Sequence, residues 1–76
     1  EQNSTKAVEW YTKAAEKGDS TAMNMNNLGI CFQKGEGVEQ NWTMAVEWYA
    51  NAVDHGRTKA EAYLEHARRM MQNNDE

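Results

Sequence analysis

One thiol (Cys31), two imidazoles (His55 and His66), two serine hydroxyls (Ser4 and Ser20) and a carboxylate between glycines (Gly35-Glu36-Gly37) are the groups through which this chain of 76 residues could do chemistry. His55 and His66 stand eleven apart across a helix break, and neither they nor Cys31 has the i, i+4 or Cys-x-x-Cys spacing of a metal site. They read as solvated or capping imidazoles. A serine nucleophile of the Ser-x-x-Lys type needs lysine three residues on, where this chain has Ala7 and Met23. Gly35-Glu36-Gly37 lacks both the third glycine of a dinucleotide fingerprint and the Gly-Lys-Ser/Thr of a phosphate loop. It also follows a helix, where those motifs follow a strand, and Glu36 would repel phosphate, so it reads as a turn. Cys31 would need an activating base or cation, yet it lies at the edge of an apolar stripe and reads as a buried, inert thiol. The expectation is a protein that is not an enzyme, with no catalytic residue, no cofactor and no metal.

Charge narrows the partners. Twelve acidic against eight basic side chains, a net charge of −4, are spread without a block of either sign, and Arg68-Arg69 is the one adjacent basic pair. Nucleic acid and anionic membranes both call for clustered Lys and Arg, so neither is an expected partner. A single cysteine excludes an internal disulfide framework and leaves the compartment open. No eighteen-residue apolar run and no signal-like segment occurs, which is the pattern of a soluble chain without membrane insertion. Opening without Met in mid-pattern, the chain reads as a processed or excised piece. A domain this small buries only about 60% of the surface its unfolded form exposes, too little for a large catalytic cleft.

These groups are positioned by a repeat. Asn3 to Gly18 (NSTKAVEWYTKAAEKG) and Asn41 to Gly56 (NWTMAVEWYANAVDHG) share nine of sixteen positions, thirty-eight residues apart. Each copy spaces its apolar residues as a helix does: Ala7, Tyr11, Ala14 and Ala15, then Ala45, Tyr49, Ala52 and Val53. Each opens on an asparagine suited to N-capping and closes on a glycine suited to a left-handed C-terminus. Within AVEWY the spacing sends Ala and Tyr into the core and Glu9 and Glu47 to solvent, with Trp10 and Trp48 covering the seam with a neighbouring helix. Between the copies, Ala22, Met25, Leu28, Gly29 and Phe32 form one face of a helix ending near Lys34 or Gly35. A fourth helix over about Thr58 to Met71 carries a stripe of Ala60, Tyr63, Leu64, Ala67 and Met71, and the closing QNNDE is expected to fray.

Ala22, Leu28-Gly29, Phe32, Gly35-x-Gly37-Val38, Ala45, Trp48-Tyr49, Ala52 and Gly56 together resemble a Sel-1-like repeat, a relative of the tetratricopeptide repeat. The resemblance implies an all-α fold of α/α helical hairpins, a short right-handed solenoid of about two repeats and four helices. Residues 1–76 are then one domain or fragment: 5–18 the second helix of a preceding repeat, 21–56 a complete repeat, and 58–73 a degenerate first helix or C-terminal cap. Asn41 stands where the family has Asp and can still cap; Phe32 replaces a Tyr and loses its hydroxyl. Leu64 follows Leu28 by thirty-six residues, but Glu65 and Arg68 replace the family's glycine and aromatic, which suits a polar cap closing the stack. Gly29 is expected where Trp48 or Tyr49 approaches closely, and Gly37 where the chain reverses with positive φ.

Function then falls to surface. In the resembling family the first helix of each repeat lines the concave side that holds partners. On the helix Ala22 to Lys34 the outward residues read as Met23, Asn24, Asn27, Ile30 and Lys34, flanked by Asn26 and Gln33, with Glu61, Glu65 and Arg68 as additions from the fourth helix. Flexible Met and Ile offer apolar contact, and carboxamides both donate to and accept from a peptide backbone. Two readings fit: a non-catalytic adaptor or scaffold binding a protein or peptide, and a purely structural spacer in a protein whose active or binding site lies elsewhere. Exposed repeat ends also offer a route to a weak homo-oligomer. Asn3-Ser4-Thr5 and Asn41-Trp42-Thr43 are N-glycosylation sequons at the same place in each copy, but helix capping accounts for both. A glycan on either asparagine would require passage through a secretory lumen, and glycosidase treatment of the protein expressed through that pathway reads it as a shift in gel mobility.

Overall fold

The computed structural model describes residues 2–17 and 21–73. They form four helices, α1 (Gln2–Lys17), α2 (Thr21–Lys34), α3 (Trp42–Asp54) and α4 (Ala60–Asn73), with no strand among the described residues. The principal packing is of each helix on the next, α1 on α2, α2 on α3 and α3 on α4, in a slab of 35 × 30 × 15 Å. This is the all-α helical repeat expected of the residue pattern.

Local chemistry explains the helix ends. Asn41 is extended (φ −157°, ψ 106°), and its Oδ1 accepts from the backbone N–H of Met44 at 3.1 Å, capping α3. The glycine loop returns the chain to that point: Gly37 has φ +77°, and the Asn41 N–H donates to the Phe32 carbonyl at 2.9 Å, tying the start of α3 to the end of α2. At the far end of α3, Gly56 N–H donates to Val53 O at 3.0 Å and Arg57 N–H to Ala52 O at 2.9 Å, the paired bonds of a Schellman C-terminus. The N-cap expected at Asn3 is not formed, since α1 already begins at Gln2 and runs through it. Gly18 lies outside the described residues, as do Ser20 and residues 74–76 of the expected frayed end, whereas Gln72 and Asn73 are helical. α4 starts two residues later than the spacing suggested, because Ala60 and Glu61 first bond back to Arg57 O and Thr58 O in a turn.

Small side chains dominate the core. One cluster joins Val8 and Ala15 of α1, Met25, Leu28 and Cys31 of α2, Ala52 of α3 and Ala60 of α4, with Tyr11, Val38, Trp48 and Val53 packed against it. A second joins Ala45 and Tyr49 of α3 to Ala67 of α4, with Ile30, Phe32, Trp42, Val46 and Leu64 around it. Ala60 and Ala67, seven residues apart, sit one above the other at the centre of the buried stripe of α4. Tyr63 therefore falls at the stripe's edge and is 42% exposed, against the expectation that it packs inside. Trp10 also departs from expectation. It is 62% exposed, while Trp48 at the same repeat position is half-buried, because Trp48 packs against the first core cluster and Trp10 lies outside both clusters.

Between α2 and α3 the contact is set by a missing side chain. A Cβ on Gly29 would stand 2.5 Å from both Cδ1 and Cε1 of Tyr49, closer than any real contact, so the fully buried ring rests on bare backbone. Gly29→Ala should therefore destabilise by about 1–3 kcal/mol through overpacking, although alanine is the better helix former by about 1 kcal/mol. At about 4–8 °C per kcal/mol, thermal melting should show a clear fall in Tm, larger still for Gly29→Val. A wild-type Tm for either variant would refute the close-approach explanation.

Candidate functional site: the open arc of α2 and its continuation on α4

At about 100° per residue, Cys31, Asn24, Leu28, Met25 and Gly29 sweep out the buried side of α2, with Asn26 at its border. Ile30, Met23, Lys34 and Asn27 occupy a remaining arc roughly 60° wide. Four of the five residues expected on the partner-facing side thus share one strip: Met23 is 46% exposed, Lys34 is exposed, and Asn27 and Ile30 are half-buried. Ile30 leans on the second core cluster and offers only part of its side chain. Asn24 is corrected: it is 2% exposed, on the same i, i+4, i+7 line as Leu28 and Cys31. Asn26 is likewise buried, at 4% exposure, leaving Gln33 half-buried as the flanking carboxamide.

The same register identifies what α4 contributes. Thirty-six residues carry Leu28 to Leu64, and therefore Asn27 to Tyr63 and Ile30 to His66. Tyr63 stacks on Tyr49 with centroids 5.4 Å apart and planes 19° apart, and His66 meets the edge of Trp42 at 5.8 Å. Both rings are exposed yet held. Glu61, Glu65 and Arg68, expected on this surface, instead line a hollow of about 380 Å³ with Ala62 and Leu64. Their counterparts thirty-six residues earlier are Met25, Gly29 and Phe32, and Gly29 is where α2 meets α3, so they occupy a different face. Residue-by-residue reading placed Tyr63 inside because an aromatic at helical spacing looks like core, and read His66 as a solvated imidazole without its Trp42 contact; transferring the repeat offset from Asn27 and Ile30 is the signal that places both on this surface.

Tyr49 supports this surface from beneath. Its hydroxyl donates to Oε1 of Gln33 on α2 at 2.7 Å, while its ring touches Gly29 and carries Tyr63. Burial first, and then the neighbouring Tyr63 and Cys31, pushes its phenol above the ordinary tyrosine range. Burial likewise raises the Cys31 thiol, reinforced by Glu36 and opposed by Lys34, which disfavours the nucleophilic thiolate. His55 shares a 2.9 Å contact between its Nδ1 and the Asn51 carbonyl at the end of α3, a capping role. Among the described residues no three or more His, Cys, Asp or Glu converge to hold a metal ion.

Comparison with protein families agrees with this architecture: the Sel1 repeat model matches residues 1–19 and 25–56. The chain belongs to the Sel1 repeat family. No curated relative and no solved structure matches it. Sel1 repeats are a non-catalytic type of helical repeat and generally mediate protein–protein interaction. Among the described residues of this Sel1 chain, no helix is long and apolar enough to cross a membrane.

The raised Tyr49 phenol has a measurable consequence. Below the ordinary tyrosine value of about 10 both folded and unfolded states keep the proton, so the contribution of the neutral ring is complete. Above it the unfolded chain ionises while folded Tyr49 resists, and stability falls as pH rises, by up to about 1.4 kcal/mol per pH unit for one proton. Tyr49→Phe should lose about 0.5–1.5 kcal/mol at neutral pH with the Gln33 bond and then show a shallower alkaline loss than wild type. Denaturant midpoints measured from pH 8 to 11 check this; parallel curves for the two proteins would exclude Tyr49 as the titrating group.

Proposed function

We propose that this Sel1 domain is a non-catalytic protein-interaction module that presents Met23, Asn27, Ile30 and Lys34 of α2, continued by Tyr63 on α4, to a peptide or partner protein. One observation carries the reading: Tyr63 is 42% exposed yet fixed by stacking on a fully buried tyrosine. An aromatic ring already ordered loses little freedom when a partner covers it, and such rings dominate the energetics of interfaces. On α2, Met23 and Ile30 supply adaptable apolar contact and the Asn27 carboxamide pairs with main-chain groups. Lys34 favours an acidic group at that end of the bound segment.

Selection of a displayed random peptide library against the domain, followed by amide NMR mapping of the enriched peptides, tests this. Shifts are expected at Met23, Asn27, Ile30 and Tyr63. Tyr63→Ala should weaken binding about tenfold or more, and Asn27→Ala/Lys34→Ala less, with cooperative melting retained in both. Enriched peptides that map to the outer faces of α1 or α3, or a selection that yields none, would favour the spacer reading.

A further inference from the structure

The strip on α2 and α4 carries the opposite charge to the chain as a whole. Net charge is −4, yet α2 contains no acidic residue, and its one charged side chain is Lys34 in the last turn. The repeat offset extends the pattern to α4. Thirty-six residues carry Met23 to Lys59 and Gln33 to Arg69, as they carry Asn27 to Tyr63 and Ile30 to His66, and both cations are exposed. The carboxylates of α4 point elsewhere: Glu61 and Glu65 lie about 100° or more round the helix from Tyr63 and His66, in the hollow with Arg68. Glu36, in the loop after α2, acts on the Cys31 thiol, which lies on the buried side of that helix. Among the described residues no ion pair joins Lys34, Lys59 or Arg69 to a carboxylate.

The three cations stand at the two ends of the strip. Each helix packs on the next through a short connection, so α2 and α4 both run opposite to α3 and in the same direction as each other. Lys59 and Met23 therefore share one end, Lys34 and Arg69 the other, and the middle is uncharged at Asn27, Ile30 and Tyr63. The ten or eleven residues between the ends span about 16 Å of helix at 1.5 Å per residue. An extended segment covers that distance in about five residues.

We propose that the partner is an acidic segment of another protein, bound extended along this strip, with carboxylates about five residues apart facing Lys59 at one end and Lys34 and Arg69 at the other, and an apolar side chain between them over Tyr63 and Ile30. Resting on the strip's role as a binding surface, this assignment fixes the partner's charge and spacing. Exposed ion pairs contribute little affinity each, so the cations act mainly on selectivity, against basic segments, while the ring and the isoleucine supply contact. The net negative charge of the chain does not cancel this preference, because salt at physiological strength screens beyond about 8 Å and a bound segment feels the nearest charges most.

Peptides enriched from the displayed random library, synthesised with their Asp and Glu either kept or replaced by Asn and Gln, test this in titrations at about 20 mM and about 500 mM NaCl, between which screening strengthens severalfold. The enriched sequences should carry two acidic residues about five positions apart. At low salt the neutral forms should bind about threefold or more weaker, and the difference should vanish at high salt. Lys34→Glu/Lys59→Glu/Arg69→Glu should weaken the acidic forms about tenfold or more yet bind the neutral forms as wild type does, which shows that the strip itself is intact. Peptides that map to the strip but are neutral or basic, or acidic peptides indifferent to neutralisation or to the charge-reversed variant, would overturn the acidic partner and leave the binding role standing. A selection that yields no peptide at the strip would remove both.

Discussion

The ring of Tyr49 lies on the backbone of α2 because Gly29 places no atom in its way, and most of the molecule is arranged around that contact. The same side chain donates its hydroxyl to Gln33 and stacks its other face on Tyr63, so one residue of α3 holds both α2 and α4. Such a joint is directional: the ring plane, the bare backbone and the single acceptor fix orientation as well as distance. A core built largely of alanines sets close helix spacing but little orientation, since a methyl group packs similarly over a wide angle. The aromatic joint supplies what the alanines cannot.

Order at the surface follows from that joint. Tyr63 is exposed, but its geometry is inherited from a buried partner. The open arc of α2 is likewise defined by what lies behind it: Cys31, Asn24, Leu28, Met25 and Gly29 are committed to neighbours, leaving only Ile30, Met23, Lys34 and Asn27 facing out. Under the proposed function, this narrow strip on α2 and the stacked Tyr63 on α4 are the surface that a bound segment would cover.

Much of the fold was legible before any coordinates. Two copies of AVEWY thirty-eight residues apart announce a helical period, and the Gly-x-Gly-Val loop, the capping Asn41 and the bare Gly29 each appear in the structure in the role their chemistry suggests. The candidate surface was legible in part. Met23, Asn27, Ile30 and Lys34 share the open arc, but Asn24 was assigned outward because it is polar, although its spacing from Leu28 and Cys31 places it on the buried line. Tyr63 was assigned inward because it is aromatic, and the cap at Asn3 was inferred from residue type at a position that the helix α1 runs through.

Residue type and spacing by themselves determine which segments are helices, where they turn and which offsets relate them, because backbone hydrogen bonding, capping and glycine's access to positive φ are local properties. Which side of each helix is covered depends on neighbours far along the chain. Trp10 and Trp48 sit in the same five-letter context, yet one is exposed and the other half-buried, since only the second packs against the core cluster that joins the four helices. Burial is a property of pairs of surfaces, and only the packed structure decides those pairs.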